Sequence, residues 1–169
     1  MAKKKSAKKS NKLELILKIV ALAFGVAAFC MVFVTCVRFV TQDGDLVKSF
    51  TGIQEVFGYT EDGKLLDVEY LGFSFMALLT FVLPLVGAAL TFVNNKIARL
   101  VGVGLMAVGA VLMFILPQLV VLASEGGKLV GGALVLDLCE TALGIGAILG
   151  GVFSALGAVA AGYYTLRTK

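Results

Sequence analysis

Apolar residues run along this 169-residue chain in long stretches separated by polar segments. Four of them, 13–40, 71–93, 100–123 and 141–164, reach the ~20 residues a helix needs to cross about 30 Å of hydrocarbon. They are too long and continuous for barrel strands, which alternate over about ten residues. Lipid offers no partner to backbone N–H and C=O groups, so each stretch must be helical. The pattern predicts an all-α integral membrane protein, a bundle of four transmembrane helices, over 13–169. Residues 1–12 form a basic tail expected to be disordered. The connecting segments are 41–70, 94–99 and 124–140.

The segment 41–70 also carries a period of two. Leu66, Val68 and Tyr70 alternate with Asp67 and Glu69, and Asp62-Gly63 lies between this run and Ile53–Tyr59. This pattern predicts a small β-hairpin. A lone hairpin is marginal in water, so it would have to rest on the end of the bundle.

Composition supports the membrane reading. The hydrophobic fraction is 59% and the mean hydropathy +0.98, against roughly 45–50% apolar for soluble domains. The net charge of +4 conceals a separation. Eleven of the 15 basic residues fall in 1–12, at Lys18, in 94–99 and after Tyr164, and ten of the 11 acids fall in 41–70 and 124–140. Lys and Arg are retained in the cytoplasm. Both termini and 94–99 are therefore expected inside, 41–70 and 124–140 outside, in a multi-pass protein of the plasma (cytoplasmic) membrane. The first stretch is longer than a signal-peptide core and is expected to be retained. The basic tail would attract anionic lipid headgroups at roughly 1 kcal/mol per lysine. It lacks the aromatic or folded context of a nucleic-acid site, so no nucleic-acid partner is expected.

In the fourth stretch Ala142, Gly146, Gly150, Ser154, Ala158 and Gly162 recur every four residues. Small residues at this spacing form a groove that another helix backbone can enter. The groove is filled either within the bundle or by another copy or membrane protein; Ala21, Gly25, Ala28, Gly102, Gly104 and Gly109 are the intramolecular candidates. Pro84 and Pro117 each remove an intrahelical hydrogen bond and are candidates for a hinge or a static bend. Cys36 and Cys139 both fall near outer helix ends, where a disulfide is conceivable; free thiols are the alternative. With no histidine and three cysteines, a metal site is not expected and triads built on histidine are excluded. No catalytic or cofactor-binding constellation is present, and no cofactor is expected.

Four spans, a longer first outer loop and a short inner loop resemble the tetraspan arrangement of claudins, although the chain has no Trp and no Cys between Thr41 and Tyr70. Val56-Phe57-Gly58-Tyr59, followed by Leu83-Pro84-Leu85-Val86-Gly87, resembles small four-span membrane proteins of unassigned role in Gram-positive bacteria, a resemblance that implies no activity. The expected function is that of a non-enzymatic structural or accessory membrane subunit associating through the small-residue helix face. The alternative is a small transporter or oligomeric pore, with Pro84 as hinge. The scarcity of intramembrane charge speaks against the alternative.

Overall fold

A computed structural model of the chain describes residues 2–62, 67–125, 128–129 and 132–167, with side chains from Lys12 onward except those of 125, 128 and 129. Four helices carry the fold: α1 (Ala2–Cys30), α3 (Phe75–Leu90), α4 (Lys96–Phe114) and α6 (Ile145–Arg167). Each packs on two neighbours in the cyclic order α1–α3–α4–α6. Neighbours run antiparallel, with Gly87 against Gly102, Pro84 against Gly109 and Met113 against Gly150. This is an up-down four-helix bundle. Three stretches are long and apolar enough to cross a membrane: Lys12–Phe33, Lys96–Phe114 and Ile145–Arg167. The helix α3 is apolar but has 16 residues, about 24 Å. The backbone of the basic tail continues α1 from Ala2, where coil was expected.

The expectation of an all-α protein is corrected at the end of the bundle where α1 and α4 stop. After α1 a 3-10 turn, Met31–Phe33, leads into strand β1 (Thr35–Val40), which returns as β2 (Leu46–Thr51). A six-residue helix α2 (Gly52–Phe57) follows, then β3 (Tyr59–Glu61) and β4 (Val68–Leu71). Past α4 come a 3-10 turn Leu116–Leu119, the short pair β5 (Ser124–Glu125) and β6 (Lys128–Leu129), α5 (Ala133–Leu136) and β7 (Glu140–Leu143). Strand β1 is central in an antiparallel sheet of order β2-β1-β7. Arg38 faces Ser49 on one side and Ala142 on the other.

Several expected helix limits were therefore too long. Residues 35–40 are β-branched or aromatic except Cys36 and Arg38, which suits a strand. Besides β2, residues 37–40 pair with residues 100 to 106 positions away, which local periodicity cannot reveal. Leu71 lies in β4, and α3 starts only after Ser74, whose Oγ accepts from Ala77 N–H at 3.2 Å. Pro117 disfavours continued helix at Leu116, so α4 closes at Phe114. The expected hairpin forms in part: Tyr59–Glu61 pairs with Val68–Leu71, but Ile53–Phe57 is helical. The amide of Thr51 donates to Gln54 Oε1 at 2.9 Å across the first turn of that helix. The turn residues 63–66 lie outside the described residues.

The segment between α1 and α3 and the segment between α4 and α6 join in one cap over that end of the bundle. Besides the β1–β7 pairing, Leu71 bridges Leu122, Gly72 N–H donates to the Val121 carbonyl at 2.9 Å and Ala123 N–H to that of Tyr70 at 3.1 Å. The cap residues Val37, Phe39, Phe50, Val56 and Leu136 belong to the same apolar core as Ala28, Phe81, Met113 and Ala147 of the bundle. The half of the bundle away from the cap has a second core, with Ala21, Ala88, Met106, Ala158 and Ala161.

Candidate functional site

The small-residue face of α6 is occupied by the chain itself. Gly146, Gly150, Ser154 and Ala158 are buried and Gly162 is half-buried. Ala142 is in β7 rather than on the helix, because α6 starts at Ile145. The groove receives side chains more than backbone. A Cβ at Gly150 would lie 2.6 Å from Met113 Sδ, one at Gly151 would lie 2.8 Å from the Phe114 ring, and one at Gly157 would strike Met106 Cε. Flexible thioethers fill such irregular gaps well. The small residues proposed as partners mostly serve α3: Gly25 faces Pro84 and Ala88, Gly102 faces Gly87, and Gly109 faces Pro84. Gly104 faces open space.

Pro84 is buried, and its ring fits the gap that Gly109 leaves, 2.7 Å from where a Cβ would stand. Helices therefore hold it on both sides, on α1 and on α4. Pro117 is not inside a helix; it occupies the first turn of the 3-10 segment after α4. Cys36 and Cys139 are free thiols, not a disulfide. Cys36 Sγ donates to the carbonyls of Met31 (3.3 Å) and Val34 (3.2 Å), and Cys139 Sγ to that of Val135 at 3.3 Å. Each thiol is thus satisfied by its own local backbone.

Buried hydroxyls in the bundle are likewise satisfied. Thr80 donates to the Met76 carbonyl (2.9 Å), Thr91 to Ala88 (2.6 Å), Thr165 to Ala161 (2.8 Å) and Ser154 across to Met106 of α4 (2.7 Å). The first three bond back within their own helix, as hydroxyls in apolar surroundings do. At the end of the bundle away from the cap the Tyr164 ring has Lys18 Nζ 5.1 Å and the Arg99 guanidinium 4.9 Å from its centre. Arg99 is buried, and its Nε donates to the Val93 carbonyl at 2.9 Å. Cations from α1 and α4 thus meet on one aromatic of α6.

The cap holds what the bundle lacks. Glu55 is 2% exposed, and neither carboxylate oxygen has a hydrogen-bond partner among the described residues, the Val37 amide lying near it outside bonding geometry. It follows from how α2 is seated: Gly52, Glu55 and Val56 form its buried face. Gly52 approaches so closely that a Cβ there would lie 2.5 Å from the Phe81 ring. Burial pushes the Glu55 carboxyl up to about 9, opposed only in part by the Val37 amide, so the group is neutral at pH 7. Burial also pushes the neighbouring Cys36 thiol up to about 12, with the Glu55 carboxylate adding to the effect. The β1–β2 register shifts between Thr35 and Val37, at Cys36. Sequence reasoning counted Glu55 among ten outer acids and missed its burial. The Thr51-x-x-Gln54 capping pattern, with Val56 and Phe57 following, is the local signal that could have placed it on a short helix.

A few residues away lies an aromatic cluster, Phe39, Phe50, Tyr59 and Tyr70, with neighbouring ring centres 5.6–6.2 Å apart. Lys48 Nζ sits 3.8 Å from the Tyr70 ring centre and pairs with Glu61. Desolvation alone would lower the lysine; the Glu61 and Tyr70 contacts outweigh it and raise it. The hydrogen bond from Lys48 holds Glu61 below the usual carboxylate range. Open clefts border the cap. One of about 220 Å³ lies among Phe114, Pro117, Gln118, Thr141 and Leu143, and another of about 150 Å³ shares Pro117 and Thr141 with it. A third, about 320 Å³, is lined by Thr35, Arg38, Leu46, Ser49 and Ile145. No group of three or more His, Cys, Asp or Glu that could hold a metal ion occurs among the described residues. No protein-family model, curated protein or solved structure matches the chain.

Proposed function

We propose that the chain is a four-span membrane protein with both termini in the cytoplasm, acting as a non-enzymatic structural or accessory subunit whose outer cap is its recognition surface. The observation that carries this reading is the closed bundle interior. Between the Lys18–Arg99–Tyr164 cluster and the cap no Asp, Glu, Lys or Arg occurs in the helices, and the buried hydroxyls of Thr80, Thr91, Ser154 and Thr165 each bond a backbone carbonyl. A coupled transporter normally carries ionisable groups along its path. Pro84, wedged between glycines of two other helices, is poorly placed as a hinge.

The fourth span is α3 with its flanking turn, bonded from Thr91, Phe92 and Val93 back to Ala88, Ala89 and Leu90. Exposed Phe33, Phe73, Phe75 and Phe114 cluster at its outer level and that of α1 and α4, marking the outer boundary in a chain without Trp. The groove of α6 is filled internally, so association with another protein falls to the cap or the lipid-facing sides.

Topology and function are testable together. In a Cys139→Ser background, cysteines placed at Asp43 and at Asn95 report opposite sides through an impermeant maleimide: Asp43→Cys should label in intact cells, Asn95→Cys only after permeabilisation. Reconstituted protein should show no solute flux above empty liposomes. A photo-crosslinker at Phe57 on the cap should capture protein, whereas one at Gly104 should capture lipid. Solute flux above that background, or labelling of Asn95→Cys from outside, refutes the proposal.

A further inference from the structure

Among the cations of the cap whose side chains are described, Arg38 and Lys48, Arg38 is the one left unused. Lys48 is taken up by Glu61 and Tyr70. Arg38 stands on the exposed face of the sheet's central strand and forms no ion pair or hydrogen bond among the described residues. Its cross-strand neighbours are Ser49 and Ala142, neither of which is acidic. The nearest acid along β7, Glu140, lies opposite Val40, two positions toward the outer tip, and makes no ion pair with Arg38. An unpaired arginine outside is out of keeping with a chain that places eleven of its 15 basic residues inside.

The cleft around it is mixed in a particular way. The hydroxyls of Thr35 and Ser49 line it beside the guanidinium, and Leu46 and Ile145 supply apolar walls, around about 320 Å³. Thr35 reaches the same side as Arg38 because the register shift at Cys36 breaks the alternation of the strand. Ile145 is 61% exposed and is the first residue of α6, whose first turn carries no acid to neutralise the positive end of its dipole. Thr35 and Ile145 stand where β1 leaves α1 and β7 enters α6, at the level of the exposed phenylalanines. Guanidinium, hydroxyl donors and the first residue of a helix line one cleft, with Ile145 as its apolar contact on the membrane side and Leu46 toward the outer tip. A phosphate diester carrying acyl chains has this combination of chemistry.

We propose that this cleft binds the phosphate of an outer-leaflet phospholipid headgroup, with Arg38 as its main ligand and Thr35 and Ser49 as supporting donors. The lipid would fasten the sheet to the membrane surface beside α6. This inference rests on the membrane reading above.

Delipidated full-length protein in detergent, titrated with a short-chain phosphatidylglycerol and followed by native mass spectrometry, tests it. Wild type should form a saturable one-lipid adduct. Arg38→Gln should weaken it about tenfold, the equivalent of one charge-assisted hydrogen bond. Arg38→Lys should fall between, and Ser49→Ala should weaken it a few-fold. Arg38 is exposed, so these variants keep the fold, which circular dichroism and elution volume verify. Equal binding by Arg38→Gln, or by diacylglycerol without phosphate, overturns the proposal. Displacement of the lipid by millimolar inorganic phosphate, abolished in Arg38→Gln, overturns the lipid as the natural source of the anion. Failure of the membrane reading shows separately, as protein that does not float with vesicles.

Discussion

Ser154 and Glu55 are both buried polar residues, and their surroundings differ sharply. Ser154, inside the bundle, gives its hydrogen to a carbonyl of the facing helix at 2.7 Å. Glu55, inside the cap, has no hydrogen-bond partner for either oxygen among the described residues. The same contrast extends to backbone. Helices satisfy their own amides and carbonyls, so the bundle needs only close approach, provided by pairs such as Gly87 with Gly102. Strands need partners from elsewhere, and the cap finds them by joining residues 35–40 to 140–143 and 70–72 to 121–123. The bundle is thus built for permanence. The cap carries a standing cost at Glu55 that varies with pH.

Four substitutions probe this difference, the largest effect first. Gly87→Leu puts a side chain where even a Cβ would lie 2.6 Å from the Gly102 carbonyl oxygen. Backbone cannot yield as a side-chain tip can, so this variant should fail to give a monodisperse folded species by size-exclusion chromatography in detergent. If it elutes and melts like wild type, α3 and α4 are not packed as described.

Glu55→Gln acts on the cap and through pH. The native carboxyl stays protonated up to about 9, whereas the unfolded one ionises near its ordinary value. Between about 4.5 and 9 the native state therefore holds the extra proton, and stability falls as pH rises through that window. The stability is fully present below about pH 4.5 and lost toward pH 9. Glu55→Gln should flatten this profile and raise stability at pH 8 by about 2–4 kcal/mol. Thermal melts at several pH values read this directly. An unchanged slope would mean that Glu55 finds a partner or water in solution.

Lys48→Met keeps the stem of the side chain and removes its charge from the Tyr70 and Tyr59 rings. A loss of about 1 kcal/mol is expected, confined to the cap, so hydrogen exchange should quicken in β1–β4 and not in α3 or α4. Gly104→Leu is the counterpart of Gly87→Leu. Nothing lies within 4 Å of a Cβ at Gly104, so its stability should change by no more than about 0.5 kcal/mol. A large loss would point to an occupied surface on α4.

Legibility follows the same division. The bundle was readable because apolar runs and small residues four apart reflect a helical repeat that each segment carries by itself. The cap was readable only where the signal is local: Asp62-Gly63 between alternating residues marked the β3–β4 pairing, and Thr51-x-x-Gln54 marks the start of α2. Nothing local distinguishes Thr35–Val40 from the last turns of a membrane helix, since apolar β-branched residues suit both. Cys36 and Cys139 seemed to invite a bond across the two outer segments. The segments do meet, but through the backbone of β1 and β7, and both thiols stay free.

Length, hydropathy and the uneven distribution of charge along the chain were properties of the sequence alone, because each belongs to a segment whatever the segment later packs against. Which small residues face which helix depended on tertiary structure. So did the filling of the α6 groove by methionines, the burial of Glu55 and the isolation of Arg38. Each of these depends on atoms brought together from distant parts of the chain, and such proximity has no periodicity to read.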